Sequence, residues 1–218
     1  MRTCGWLLLK TCSIFGIKWE LRGEEKMKKV TGPCIYVCNH QSSLDSIGMM
    51  EMWPDRCVPM IKKSLKYSGP FGLCGILAGV VFIDRFSKEK AIETCDKALK
   101  YMKEKNVKLW VFPEGTRGRE DAMLPFKKGA FHLAIQGQLP IVPVVFSKYS
   151  FFYNKNERRF RDSGYVIMQV LDPIDTTGFT SDNVSELAEQ VRAKMMEVYE
   201  KISPEAAEKY EAEKVAGK

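Results

Sequence analysis

Residues 39–45 read NHQSSLD and set one of only two histidines, His40, five positions ahead of an aspartate, Asp45. A carboxylate bonded to one ring nitrogen of an imidazole fixes its tautomer. The other nitrogen is then free to take a proton from a hydroxyl, which is what general-base catalysis on an alcohol requires. The spacing permits such a dyad. It equally permits a plainer arrangement, in which Asp45 serves a helix N-terminus and His40 bonds locally, and with two histidines in the chain an Asp five positions after one of them arises by chance about one time in ten. The second histidine, His132, lies inside the apolar GAFHLAI with glycine five positions on, and reads as a core residue.

A second group is FPEGTRGR at 112–119. Gly115 lets a backbone approach a ligand closely, Thr116 supplies a hydroxyl, and Arg117 a planar donor fork suited to phosphate. Pro-Glu-Gly is also an ordinary turn signal, and the two readings carry equal weight from these residues alone. FIDR at 82–85 ends an apolar run on Arg85, which would lie on the same sheet edge or pair with Asp84 at the surface. LPIVPVVF carries Pro140 and Pro143 around a strand, the mark of an edge or bulged strand. Cys38, two residues before His40, offers a thiol for covalent catalysis, but its apolar surroundings mark it as an inert buried cysteine. Lys62 and Lys63 add charge or form a solvated pair.

Loops of this kind need a scaffold that brings them to one edge. The pattern predicts strands at 34–38, 57–61, 80–84, 107–112, 141–146 and 165–171, each short and rich in β-branched or aromatic residues, alternating with helical runs. One helix covers 87–105, with Ser87 as its cap and Ile92, Cys95, Leu99 and Met102 on one face. Another covers 180–202 with a stripe of Val184, Leu187, Val191, Met195, Val198 and Ile202. A shorter one starts at SLDSIGMMEM, capped by Ser42 or Ser43. This alternation implies an α/β fold with a mostly parallel central sheet flanked by helices. If the strands are parallel, His40, Arg85 and the 112–119 loop open on the same edge, beyond the strands' carboxyl ends, where ligand sites of such sheets collect.

Length and composition fit one globular domain: 218 residues, of which 45% are hydrophobic. The domain is expected over 31–203, after an N-terminal segment at 1–30 and before a charged tail at 204–218 that forms a solvated helix or frays after Pro204. Lys and Arg exceed Asp and Glu by 34 to 27, a formal charge of +7 that favours phosphate-bearing partners. The basic residues are not interleaved with aromatics in a nucleic-acid module, so nucleic-acid binding is not expected. Seven cysteines without a C-x-x-C pair suggest neither a disulfide framework nor a zinc cluster, and so a reducing compartment or a membrane face turned toward one. No run reaches the roughly 20 apolar residues of a membrane-spanning helix. GWLLLKTCSIFGIKW, interrupted by Lys10 and followed by no A-x-A-like cleavage site, reads as an interfacial anchor or a helix packed on the core. Together with Trp19, Lys26, Lys28 and Lys29 it would rest the domain on an anionic bilayer. The apolar runs from Gly69, from Gly129 and at Phe151 and Phe152 read as core, or as a lipid-facing surface where basic clusters adjoin them.

NHQSSLD, GVVFIDR, FPEGTR and LPIVPVV, in this order and at these separations, resemble the four acyltransferase motifs of the glycerophospholipid acyltransferase superfamily. The intervening WPDRCVP, MLPFKKGAFHLA and KNERRF narrow the resemblance to the animal 1-acyl-glycerol-3-phosphate acyltransferases, over residues 18–203.

That resemblance implies a glycerol-3-phosphate acyltransferase-like fold and transfer of an acyl chain from acyl-CoA to the sn-2 hydroxyl of lysophosphatidic acid. His40 would be the general base and Asp45 the group that orients it. Glu114, Gly115, Thr116 and Arg117, with Arg85, would hold the acceptor's phosphate, and Pro143 would shape the acyl or acceptor pocket. It implies no cofactor and no metal, acyl-CoA being a substrate, and it places the enzyme at the endoplasmic reticulum membrane among membrane lipids. Members of this group carry membrane-spanning helices ahead of the catalytic domain, where residues 1–30 stand here. Two other readings stay open: the same reaction on a different lysophospholipid head group, and a non-catalytic lipid-binding homologue.

Overall fold

The computed structural model describes residues 16–84, 88–118, 123–154, 157–161 and 163–216. The expectations for Arg85, for Ser87 and for the apolar residues before Gly16 lie outside them. The strands are β1 (Ile17–Arg22), β2 (Ile35–Cys38), β3 (Cys57–Lys62), β4 (Val81–Ile83), β5 (Lys108–Val111), β6 (Ile141–Phe146), β7 (Tyr153–Asn154), β8 (Arg159–Phe160) and β9 (Gly164–Val170). The helices are α1 (Glu24–Lys28), α2 (Asp45–Glu51), α3 (Gly69–Leu77), α4 (Lys88–Lys105), α5 (Gly129–Gly137) and α6 (Val184–Ala216), with 3-10 turns at Lys63–Tyr67 and Ser181–Asn183.

Seven strands form one sheet in the order β1-β9-β6-β2-β5-β3-β4, and β7 pairs with β8 apart from it. Every neighbouring pair in the sheet is parallel except β6 with β9. Both faces are covered, which is why β2 and β6 are buried at every position and read as continuous apolar runs. Ile35 and Val37 of β2 point to the face covered by α4, α5 and α6, where Met102, Phe131, Leu187 and Met195 are buried. Tyr36 and Cys38 point to the opposite face, with Trp110, Met49 and Tyr149. All six expected sheet strands form, within two residues of their expected bounds.

The differences have physical causes. Ile17, Trp19 and Leu21 alternate with Lys18, Glu20 and Arg22, and this segment is a sheet strand paired with β9 rather than part of a bilayer anchor. Trp19 packs over α2 so closely that a Cβ at Gly48 would come within 2.7 Å of the indole. Lys26 and Lys29 both pair with Asp172, on the protein itself. The strand is fastened to α6 by ions: Arg22 bonds Glu205 through both terminal guanidinium nitrogens, and Lys209 donates to Glu20 at 2.7 Å.

Helix α6 does not stop at Pro204. It continues to Ala216, burying Ala206 and Tyr210, and the Tyr210 ring lies 5.2 Å from that of Phe151. Pro143 is not in an edge or bulged strand, because β6 lies between β9 and β2. Its carbonyl accepts from Leu171 N–H at 2.9 Å, so the donor that proline lacks falls where the β6–β9 ladder ends. His132 is exposed on the outer side of α5, not in the core, and Ile92 is 54% exposed rather than part of the buried face of α4. No helix among the described residues is long and apolar enough to cross a membrane.

Candidate active site

His40 begins where β2 ends. Asn39, almost wholly buried, prolongs the ladder with its side chain: its amide donates to Phe146 O at 2.9 Å and its carbonyl accepts from Phe146 N–H at 2.8 Å. The main chain at His40 is then held on both sides. Its N–H donates to Glu114 Oε1 at 2.6 Å, and its carbonyl accepts from Gly118 N–H at 2.8 Å. The ring stacks on Phe112, centroids 4.2 Å apart, and its Nδ1 lies 2.8 Å from Asp45 Oδ2.

Asp45 is fully buried and no surface charge. Oδ2 also accepts from Gln41 N–H at 2.6 Å and Ser42 N–H at 2.9 Å, while Oδ1 accepts from the Tyr149 hydroxyl at 2.6 Å. With Oδ2 serving as the common acceptor, Nδ1 carries the proton and Nε2 keeps a lone pair, the tautomer assigned from this network. The expectation that Ser42 or Ser43 caps α2 is reversed. No side chain caps its start; Asp45 reaches back to the turn before it, and the Ser42 hydroxyl accepts from Leu44 N–H at 3.0 Å. Tyr149 has one proton and gives it to Asp45, so at the 2.8 Å Ser42–Tyr149 contact the serine supplies the hydrogen. Burial first, and then the charge of Asp45, push the Tyr149 phenol well above its ordinary range, which keeps it a donor.

The second loop arrives from β5. Glu114 is 3% exposed, and both carboxylate oxygens are engaged, Oε1 with His40 N–H and Oε2 with Leu124 N–H at 3.0 Å. Burial raises its pKa, and the two backbone donors partly offset this. A buried carboxylate so occupied repels a phosphate; it splices the loop after β5 to the loop after β2. Gly115 takes φ +68°, and a Cβ there would strike the Lys127 side chain at 2.8 Å. Thr116 and Arg117 follow on the exposed surface of this turn.

Of the residues singled out in the sequence, His40, Asp45 and Glu114 form one hydrogen-bonded unit with Gly115, Thr116 and Arg117 beside it. Pro143 does not join them: it is buried within the sheet opposite Val37. Cys38 is fully buried, and burial, reinforced by the charges of Asp45 and Glu114, drives its thiol well up, so it offers no thiolate. The sequence reading did not single out Asn39, Tyr149, Met123 or Tyr199. The last two line a small cleft with His40, Gln41, Glu114 and Gly118.

If Glu114 acts by holding His40, replacing it with glutamine will leave one of two buried N–H groups facing an amide NH2. Such a loss costs about 1–3 kcal/mol and displaces the histidine. Glu114→Gln is expected to lower kcat about 10- to 100-fold with little change in the acceptor's KM, as steady-state kinetics will read.

Residues 18–147 match the family model described as Acyltransferase. The chain is 47% identical over 203 residues to human 1-acyl-sn-glycerol-3-phosphate acyltransferase alpha, covering 93% of this chain and 71% of that protein. It is 42% identical over 191 residues to the Saccharomyces cerevisiae 1-acyl-sn-glycerol-3-phosphate acyltransferase, 87% of this chain and 62% of that one. Among solved structures, the Thermotoga maritima 1-acyl-sn-glycerophosphate (LPA) acyltransferase PlsC shares the fold, with a TM-score of 0.72 at 23% identity over 92% of this chain and 77% of its own. The chain belongs to the acyltransferase family and, within it, to the 1-acyl-sn-glycerol-3-phosphate acyltransferases.

Proposed function

We propose that the protein moves an acyl chain from acyl-CoA to the sn-2 hydroxyl of lysophosphatidic acid, giving phosphatidic acid and free CoA. The observation that carries this is the imidazole of His40, fixed at Nδ1 by a carboxylate that is itself tied to two backbone N–H groups and a phenol. Nε2 takes the proton of the acceptor hydroxyl as its oxygen attacks the thioester carbonyl carbon. The carbon–sulfur bond breaks, and the imidazolium returns its proton to the departing thiolate. A thioester is already activated, so a neutral imidazole suffices as base. The human and yeast relatives are both 1-acyl-sn-glycerol-3-phosphate acyltransferases by name, which supports the acceptor.

Gly115, Thr116 and Arg117 would receive the acceptor's phosphate, a reading supported by their lying on the loop whose Gly118 N–H bonds the His40 carbonyl. The carboxyl end of β4, which runs parallel to β3, lies on the same edge, and Arg85, two residues beyond it in sequence, is the further cation proposed for the phosphate. Glu114 positions both loops and leaves the phosphate to the cations. An amphiphilic acceptor and product place the work at a membrane surface, for which the endoplasmic reticulum is the compartment proposed.

The test is release of CoA thiol from oleoyl-CoA by the purified protein in detergent micelles, with lysophosphatidic acid and with lysophospholipids bearing other head groups. Turnover confined to lysophosphatidic acid supports the reading. Equal turnover on choline or ethanolamine acceptors reassigns the acceptor, and none on any acceptor overturns it.

A further inference from the structure

Residues 67–83 contain no charged side chain, yet the helix they form is not in the core. In α3 only Gly72 is buried. Phe71 and Leu73 are each 59% exposed, Ile76 48% and Leu77 80%, and Tyr67 just before the helix is 76% exposed. A helix that packs on protein shows one apolar stripe and one polar face, whereas α3 shows apolar side chains nearly all round. Soluble surfaces seldom carry such a patch without an occupant.

Its root is basic. Lys62, Lys63 and Lys66 are exposed in the stretch 62–66 ahead of the helix, and Lys63 pairs with Asp84 at 3.7 Å. Gly69 and Gly79 take φ +55° and +73° at the two ends, so the chain leaves the sheet and returns to it sharply. The segment starts at the carboxyl end of β3. That strand is parallel to β5, and β5 to β2, so α3 leaves the same edge as Glu114 and His40. β2 and β3 are separated only by β5, about 10 Å in the plane of the sheet.

We infer that α3 and the turn before it form a membrane-docking face. Phe71, Leu73, Ile76 and Leu77 enter the acyl region of a bilayer, while the three lysines meet anionic headgroups. The chemistry of the occupant follows from the combination: apolar exposure on all sides suits a fluid hydrocarbon phase better than a shaped protein groove, and the cationic root complements anionic lipid. Docked this way, the edge bearing His40 faces the bilayer surface. The use of that orientation rests on the proposed lipid acceptor; the docking itself does not.

The experiment is flotation of the full chain with phosphatidylcholine vesicles, with and without phosphatidylserine, no acyl-CoA being present. Wild type is compared with the triple variant Phe71→Ser, Leu73→Ser, Leu77→Ser and with the triple variant Lys62→Gln, Lys63→Gln, Lys66→Gln. Wild type is expected to float with the anionic vesicles. The serine variant should bind at least tenfold more weakly to both vesicle types, and the glutamine variant should lose only the anionic preference.

Because these side chains are exposed, the serine variant should melt no lower than wild type and keep its turnover on a short-chain acceptor dispersed as monomers. No turnover by wild type on that acceptor, with its vesicle binding intact, counts against the proposed reaction and not against docking. Wild-type flotation by the serine variant overturns the inference. So does a wild-type dimer in sedimentation without lipid that the variant abolishes, because a second copy then covers the face. A lower melting temperature for the variant with unchanged flotation overturns it too, the face then being covered by the chain's own apolar N-terminal residues.

Discussion

Alanine at His40 is expected to lower turnover of oleoyl-CoA and lysophosphatidic acid by about 1,000-fold, with the protein still folded, since a positioned general base contributes typically 10²–10⁴-fold. The bonds that tie this residue to the loop after β5 come from its backbone, through Glu114 Oε1 and Gly118 N–H, and alanine keeps both. Asp45 loses one donor and retains Gln41 N–H, Ser42 N–H and the Tyr149 hydroxyl. What disappears besides the base is the stacking on Phe112, worth about 0.5–1.5 kcal/mol for such ring pairs. Thermal melting with kcat at saturating substrates will separate the two effects: melting lowered by a few degrees, kcat by orders of magnitude.

The second large effect separates the charge of Asp45 from its geometry. In Asp45→Asn, the amide oxygen is best placed at Oδ2, where it still accepts from His40, Gln41 and Ser42. The NH2 then falls at Oδ1 and donates to the Tyr149 oxygen, which passes its own proton to Ser42 Oγ. The hydrogen bonds are kept while the second amide hydrogen and the Ser42 hydroxyl hydrogen lose an acceptor, so the variant is expected to fold with stability lowered by about 1–3 kcal/mol. It loses the charge that stabilises the imidazolium as the hydroxyl proton arrives, and kcat should fall by about 10²–10⁴-fold. Asp45→Ala is a contrasting case. It strands two buried backbone N–H groups and a phenol, each costing about 1–3 kcal/mol, and should be recovered poorly or melt far lower. An asparagine variant with wild-type kcat would mean that the carboxylate only shapes the turn.

The pair at 40 and 45 was legible because chemistry and local geometry coincide there: a strand end, five residues, a helix start. The roles of Glu114 and Tyr149 were not, since each acts across the fold. Glu114 reaches an amide 74 residues away and Tyr149 a carboxylate 104 away. Sequence shows a glutamate in a turn; only the parallel order β2-β5 shows that its carboxylate faces a neighbouring loop's N–H.

Two elements left a readable signal that a stronger one masked. The period-two alternation of IKWELR was swallowed by the apolar run ahead of it. The buried spacing of Ile202, Ala206 and Tyr210 continues the stripe of α6 past a proline that looked like a stop. For α3 the apolar run alone gave the wrong default, since periodicity does not say whether an apolar helix is covered. His132 misled in the same way: its neighbours in sequence are core, but the helix turns it outward beside Gln136.

The most direct measurement of the account is rapid mixing of the protein with oleoyl-CoA labelled in the acyl chain, first without acceptor and then with lysophosphatidic acid. Direct transfer assisted by His40 predicts no burst of CoA and no label on the quenched protein until the acceptor is added. Thereafter CoA and phosphatidic acid should appear together, and the His40→Ala protein should produce neither at a comparable rate. A stoichiometric burst of CoA without acceptor, with label bound to the protein and discharged on adding lysophosphatidic acid, would contradict it by establishing a covalent acyl-enzyme.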